Sequence, residues 1–324
     1  MILNHRADTA PMEAGKTAMA VAIVNYNTRE HLRACLATVL TEAPNEVILV
    51  DNASSDGSVE MVQADYPDVV LQANKTNVGY GAAANQAIAS FTAKYVLLLN
   101  ADTLLQPGAL RALATYLDLH SRAAVVGPRL VNPDGTLQES CYPFAGTLEW
   151  VLDNDAWLRL IRYVPVLRNH WLRTWSHTYA RVVPCVKGAA LAIRREAFDA
   201  VGGFDESFFL YFEEMDLCHR LKAAGWQVHF APVATVVHVG GASTMQYSTE
   251  MTVQFVASNL LFCQRHHSRP WFAGLTMIMK GIILARLIRD TVRLRIARDT
   301  SKRVTISAEL TGWKRLLFGR VTRG

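Results

Sequence analysis

Val96-Leu97-Leu98-Leu99-Asn100-Ala101-Asp102 is an unbroken apolar run that ends abruptly in a carboxylate. A short run of this kind suits a strand buried on both faces, as in a parallel sheet. Ligands of open α/β sheets bind at the carboxyl ends of such strands, so Asp102 stands where chemistry is expected. A carboxylate there can hold a divalent cation, and the cation a diphosphate. It can equally cap a helix, because Asp102-Thr103 precedes the helical stretch 107–120.

Outward from this run, strand and helix patterns alternate, which predicts βαβ units and a mostly parallel sheet. Strands are expected at 18–25, 46–50, 69–73 and 95–99, and helices at 28–40, 58–66, 81–91 and 107–120. Thr28 and Ser58 suit the caps of two of these helices. Residues 130–143 carry turn signals. Residues 148–181, with Trp150, Trp157, Trp171 and Trp175, read as an irregular or helical insertion. A mixed apolar run at 186–193 follows, then helices at 195–201 and 213–224 and a short strand at 228–230. The expected organisation is a flexible tail over 1–17, an α/β domain over 18–255 and a basic helical tail over 256–324.

Half of the 324 residues are apolar, enough for a sizeable core. Five scattered cysteines (Cys35, Cys141, Cys185, Cys218 and Cys263) form no CxxC pair. That argues against a zinc ribbon or disulfide scaffold and suits a reducing cytosol. The first sixteen residues are polar with no apolar h-region, so no signal peptide is expected.

The net charge of +5 is uneven. From 259 onward, fourteen Arg and Lys residues face only Asp290, Asp299 and Glu309. Residues 271–298 read as a helix too interrupted by Lys280, Arg286 and Arg289 to span a membrane. At 100° per residue, Ile283, Leu284, Leu287, Ile288, Thr291, Val292 and Leu294 share one face. Arg286, Arg289 and Arg293 share the other. The pattern predicts an interfacial helix on an anionic membrane surface, or else a helix packed on the domain with a solvated basic edge.

Four further segments carry candidate chemistry. Asp51 ends the second strand, where a carboxylate can accept hydrogen bonds from a ribose or a pyrimidine N–H. Asn77-Val78-Gly79-Tyr80-Gly81 opens a small-residue helix, and glycines there allow close approach of phosphate to backbone. Gly79, Gly81 and Ala84 also match G-x-G-x-x-A, which leaves an NAD-dependent oxidoreductase as an alternative. That fingerprint normally fills the first βα turn, and here the first turn is Asn25-Tyr26-Asn27-Thr28. The acidic word Glu213-Glu214-Met215-Asp216 follows an aromatic run. Acids suit a first helical turn, yet a carboxylate beside aromatics and another carboxylate gains the raised pKa of a general base. His238 ends an apolar run before Gly240-Gly241, as a structural histidine, a metal ligand or a phosphate contact.

In order and spacing these words resemble the inverting family 2 glycosyltransferases of GT-A fold, over roughly residues 19–245, and among them the bacterial rhamnosyltransferase-type enzymes of surface-polysaccharide synthesis. The matching words are Ile23-Val24-Asn25-Tyr26-Asn27, Val50 to Ser58, Asn77-Val78-Gly79 with Asn85, Leu99-Asn100-Ala101-Asp102, Gly188-Ala189, Gly202 to Glu206, Tyr211 to Cys218 and His238-Val239-Gly240-Gly241. The resemblance implies that Asn25, Asn27, Asp51, Asn77, Gly79, Asn100 and Asp102 bind a dTDP- or UDP-linked sugar, with dTDP-rhamnose the leading donor. It implies a Mg²⁺ or Mn²⁺ ion on Asp102 and His238, although the D-x-D word is degenerate at Asn100. Glu214 takes the place of the usual aspartate base, with Glu213 and Asp216 in the same catalytic word. Gly188 and Ala189 fall on the acceptor side. The implied acceptor is a polyprenyl-diphosphate-linked glycan, with no nucleic-acid partner. The implied location is cytoplasmic, peripheral on the inner face of the membrane. A non-catalytic membrane-binding module is a further alternative.

Overall fold

A computed structural model describes residues 17–146, 175–240, 248–296 and 300–318. Its elements run β1 (Met19–Asn25), α1 (Arg29–Thr41), β2 (Val47–Asp51), α2 (Ser58–Asp65), β3 (Val70–Ala73), α3 (Tyr80–Ala89), β4 (Tyr95–Asn100), β5 (Thr103–Leu105) and α4 (Ala109–Leu119). Then follow β6 (Ala123–Val131), β7 (Cys141–Tyr142), β8 (Arg181–Val182), β9 (Cys185–Val186), β10 (Ala190–Arg194), α5 (Arg195–Ala200), α6 (Glu213–Ala223) and β11 (Gln227–His238). The last described elements are α7 (Ser248–His266), α8 (Arg269–Ile296) and α9 (Thr300–Phe318).

Among the described residues, nine strands form one sheet in the order β3-β2-β1-β4-β10-β6-β11-β5, with β8 on β11. Strands β3, β2, β1, β4, β6 and β11 share one direction, and the others run against them. β1 is buried along its whole length and β4 over all but Asn100, as an apolar run between two helical layers requires. One layer packs Leu32 and Leu36 of α1 and Leu110, Leu113 and Leu117 of α4 against the sheet. The other packs Ala83, Ala87 and Ile88 of α3, Leu217 and Leu221 of α6 and Phe262 of α7.

The expected strands and helices of the first hundred residues match β1–β4 and α1–α3, with small shifts at their ends. Their caps differ. Thr28 makes no capping bond; its hydroxyl donates to Asn25 Oδ1 at 2.7 Å. Ser58 lies inside α2, and Asp56 Oδ1 accepts from its backbone N–H at 3.1 Å. β11 extends far beyond the expected 228–230, because an irregularity between Phe230 and Thr235 absorbs Pro232 without ending the strand. Of the expected insertion, residues 148–174 lie outside the described residues, as do 1–16 of the expected tail.

The expected boundary at 255/256 falls inside α7. That helix belongs to the main body: Phe262 is fully buried, and Ser258 donates to the Leu210 carbonyl at 2.8 Å. The faces of α8 differ from the expected wheel. Ile283 and Leu287 are buried against Val256, Ile306, Leu310 and Trp313, with Leu294 packed beside them. Arg289 and Arg293 pair with Asp290, which is wholly buried, and Arg286 lies over the Trp313 ring. The exposed side of α8 is a second apolar stripe: Met277, Ile278, Ile282, Leu284, Ile288, Val292 and Ile296. The wheel merged two apolar faces, because periodicity registers apolar positions without registering what covers them.

Candidate active site

The register brings three strand ends into one row: Asn25 pairs with Asp51, and Val24 with Asn100. β1 lies between β2 and β4, where the strand order reverses, the usual place for a ligand crevice. A cavity of about 470 Å³ opens there. Asn77, Gly79, Asn100, Asp102, Gly188, Ala189, Glu213, Glu214 and His238 all line it. Residues separated by up to 161 positions in sequence thus converge on one site, from Asn77 to His238.

Four expected residues do not line the cavity. Asn25 is fully buried, and its side chain donates to Asp51 Oδ2 at 2.8 Å and Ser54 Oγ at 3.1 Å. Asp51 is 1% exposed, and its Oδ1 accepts from the Ser54 N–H. Asn27 has a left-handed φ of 52° and accepts from the Ser55 N–H. These three shape the loop beneath the cavity, since a turn at strand ends must satisfy its own backbone groups.

Asp216 is the clearest departure. Its buried carboxylate accepts from His266 Nε2 and Arg220 Nε, both at 2.7 Å. Burial alone would raise this carboxyl, but the His266 hydrogen bond and the Arg220 charge hold it below its ordinary value. It ties α6 to α7 rather than facing the cavity.

Glu213 and Glu214 open α6 after Tyr211 and Phe212, both in the left-handed region at φ 67° and 69°. Side chains there cost about 1–2 kcal/mol each, and the turn they make aims the two glutamates into the cavity. Burial, followed by the charge of Glu214, pushes Glu213 well above the usual carboxylate range. Burial also raises Glu214, with backbone N–H groups, including that of Gly188, and the Lys187 charge opposing it. Both carboxyls are thus held above the usual carboxylate range, Glu213 with the added opposition of its neighbour's charge.

The glycine loop packs against the same turn. Gly79 has φ 91°, and a Cβ there would lie 2.7 Å from the Phe209 carbonyl oxygen, so only glycine fits. The Tyr80 N–H donates to that same oxygen at 2.8 Å. Asn52 braces the loop from below, donating to Asn77 Oδ1 and accepting from the Val78 N–H.

Across the cavity, Asp102 Oδ1 and His238 Nε2 stand 3.4 Å apart. β5 antiparallel to β11 pairs Thr103 with His238 and so fixes this approach. Among the described residues no three His, Cys, Asp or Glu side chains cluster as a closed metal site. One carboxylate and one imidazole nonetheless offer two donors that a divalent cation could use beside donors from a bound substrate. Sequence reasoning missed Lys187 and Gln138, whose Oε1 lies 2.6 Å from His238 Nδ1 and 3.0 Å from Lys187 Nζ. Lys187 lines the cavity, and burial lowers its pKa against the raising influence of Asp102 and Glu214. Its position directly before Gly188-Ala189 was the available signal.

An open α/β sheet with a cavity at its carboxyl edge, a pair of glutamates on one wall and an Asp–His pair on the other defines a GT-A-type glycosyltransferase. The sequence profile described as "Glycosyltransferase like family 2" matches residues 17–257, and the chain belongs to that family. It is 32% identical over 297 residues to the N-acetylglucosaminyl-diphospho-decaprenol L-rhamnosyltransferase of Mycobacterium tuberculosis, covering 85% of this chain and 94% of that protein. It is 24% identical over 283 residues to the low-salt glycan biosynthesis hexosyltransferase Agl10 of Haloferax volcanii, covering 83% and 84% of the two chains. Its fold is similar to that of the mannosyltransferase PcManGT from Pyrobaculum calidifontis, solved with GDP-Man and Mn²⁺. The TM-score is 0.54 at 17% identity, over 97% of this chain and 90% of that one. The NAD-dependent alternative is set aside: the glycine loop follows edge strand β3 rather than the first strand, and the family matched is one of glycosyltransferases.

Proposed function

We propose that this enzyme transfers L-rhamnose from dTDP-rhamnose to a hydroxyl of a polyprenyl-diphosphate-linked glycan, with inversion. The observation that carries the mechanism is the Glu213–Glu214 pair facing Asp102 and His238 across one cavity. The near full-length similarity to a lipid-linked rhamnosyltransferase supports the choice of donor and acceptor.

In this reading Glu214 accepts the proton of the acceptor hydroxyl as its oxygen attacks the anomeric carbon. The carbon–oxygen bond to the diphosphate breaks on the opposite face, so the configuration inverts and no covalent enzyme intermediate is required. Glu213 stays protonated, which keeps a second negative charge away from the attacking oxygen. Asn77, Gly79 and Asn100 hold the nucleotide sugar, and Gly188 orients Glu214 through its backbone N–H. A divalent ion held by Asp102 and His238 would neutralise charge on the departing diphosphate. Lys187 adds a fixed cation to the same wall.

The membrane partner belongs to the exposed stripe of α8 in this proposal. The 28-residue helix is long and apolar enough to cross a membrane by length and composition. Its other face is packed on α7 and α9 around Ile283, Leu287 and Asp290. That two-sidedness favours a helix lying in the interface, with Ile278, Ile282, Leu284 and Ile288 in the acyl layer and Arg289, Arg293 and Arg295 at headgroup level.

The test is transfer by the purified full chain from dTDP-rhamnose to a polyprenyl-diphospho-N-acetylglucosamine acceptor, read by mass spectrometry. A product one deoxyhexose heavier is expected. Transfer from UDP- or GDP-sugars with none from dTDP-rhamnose would overturn the donor assignment.

A further inference from the structure

The hydrogen bonds around His238 have a polarity that can be traced from an unambiguous end. The Asp134 carboxylate only accepts, so the Thr136 hydroxyl 2.6 Å away donates to it. Thr136 Oγ1 then accepts from Asn132 Nδ2 at 2.9 Å. That leaves Asn132 Oδ1 to accept from Gln138 Nε2, also at 2.9 Å. A second anchor agrees: Gln138 Nε2 lies 3.3 Å from the His238 carbonyl oxygen, which only accepts. Gln138 Oε1 must therefore face the other way. It lies 3.0 Å from Lys187 Nζ and 2.6 Å from His238 Nδ1. An amide oxygen cannot donate, so His238 Nδ1 carries the hydrogen.

The consequence falls on the other ring nitrogen. In the neutral imidazole Nε2 is then a bare lone pair, pointed at Asp102 Oδ1 3.4 Å away. That separation exceeds the about 2.7–2.9 Å of a charge-assisted N–H···O bond. Two electron-rich atoms held side by side are the donor arrangement a divalent cation needs. We infer that Gln138, oriented by Asn132, Thr136 and Asp134, is a positioning residue that locks His238 in the Nδ1–H tautomer and so presents Nε2 to a metal ion beside Asp102. The inference rests on the proposed reading of Asp102 and His238 as the cation's protein donors. Gln138 lies in the turn-rich 130–143 segment, whose short polar residues thereby have a chemical use besides closing a loop.

Long-range ¹H–¹⁵N spectra of the full chain, histidine-labelled and without metal, read the tautomer directly. His238 should show a pyrrole-type Nδ1 and a pyridine-type Nε2. Gln138→Met keeps the length of the side chain and removes the acceptor. It should shift His238 to mixed or Nε2–H tautomers and weaken Mn²⁺ binding, measured by electron paramagnetic resonance, by about tenfold or more. A wild-type spectrum with Nε2–H, or a Gln138→Met protein with unchanged tautomer and Mn²⁺ affinity, overturns the inference. His238→Ala separates the two levels. If it leaves Mn²⁺ affinity unchanged, the metal reading itself fails. If it abolishes binding while Gln138→Met does nothing, only the positioning role fails.

Discussion

Asp216→Asn separates structure from catalysis within the acidic word. Asparagine keeps the shape and removes the charge. Its oxygen can still accept from Arg220 Nε, and its amide can donate to His266 Nε2 if that imidazole changes tautomer. Both hydrogen bonds, each 2.7 Å in the wild type, thus survive as weaker bonds. A bond to a charged group contributes about 1.5–3 kcal/mol and a neutral one about 1 kcal/mol. The loss is about 1 kcal/mol per bond, or about 2 kcal/mol in total, trimmed because the Arg220 side chain is 25% exposed and partly screened. For a chain of 324 residues, at about 2.1 cal/mol/K of unfolding entropy per residue, that lowers Tm by roughly 3 °C. Asp216→Ala, which strands Arg220 beside a cavity, should cost about 3–5 kcal/mol.

The pH dependence carries a sign. The folded Asp216 carboxyl lies below its unfolded value, so its contribution is complete above about pH 4 and disappears as pH falls through the folded value. The difference in Tm between wild type and Asp216→Asn should therefore narrow below about pH 4. Calorimetry at several pH values, paired with turnover at a temperature where both proteins are folded, checks this. A variant with wild-type Tm and abolished turnover would refute the structural role and return Asp216 to the catalytic set.

Three other outcomes are expected. Glu214→Gln should preserve donor binding and lower transfer roughly 10²–10⁴-fold, with Glu213→Gln milder, and the wild-type acid limb of kcat/KM should lie above the ordinary carboxylate range because burial raises Glu214; stopped-assay kinetics that reverse the order would move the base to Glu213. Asp102→Asn should lower turnover by about 10² or more with Tm unchanged, since its backbone carbonyl still accepts from the Val239 N–H; full activity of this variant in EDTA would remove the metal from the mechanism. Replacing exposed Ile282, Leu284 and Ile288 by Ser should weaken sedimentation with anionic vesicles by roughly two orders of magnitude, at about 1 kcal/mol per side chain, whereas Ile283→Ala and Leu287→Ala should lower Tm instead. Vesicle binding unaffected by the triple substitution would discard the exposed stripe as the lipid face.

Much of the fold was legible in local pattern. The run 96–102 announced a doubly buried strand, and the alternation around it announced parallel units, because side-chain periodicity is a property of neighbouring residues. Candidate chemistry was legible where residue type alone restricts the role: Asp102 at a strand end, the paired glutamates and the glycine at 79. Direction was not. At 100° per residue, Asp216 lies 200° around α6 from Glu214, so the two carboxylates face opposite sides of the helix. Only the packing of α7 decided which side was cavity and which was His266. The same holds for α8, whose two apolar faces became one buried and one exposed only when α7 and α9 covered Ile283 and Leu287. Gln138 and Lys187 left almost no sequence signal, because their roles consist of hydrogen bonds to residues 100 and 49 positions away from Gln138. Sequence fixes which groups a chain can offer within one element. Which of them meet across elements depends on long-range strand register and helix docking, and these exist only in the folded molecule.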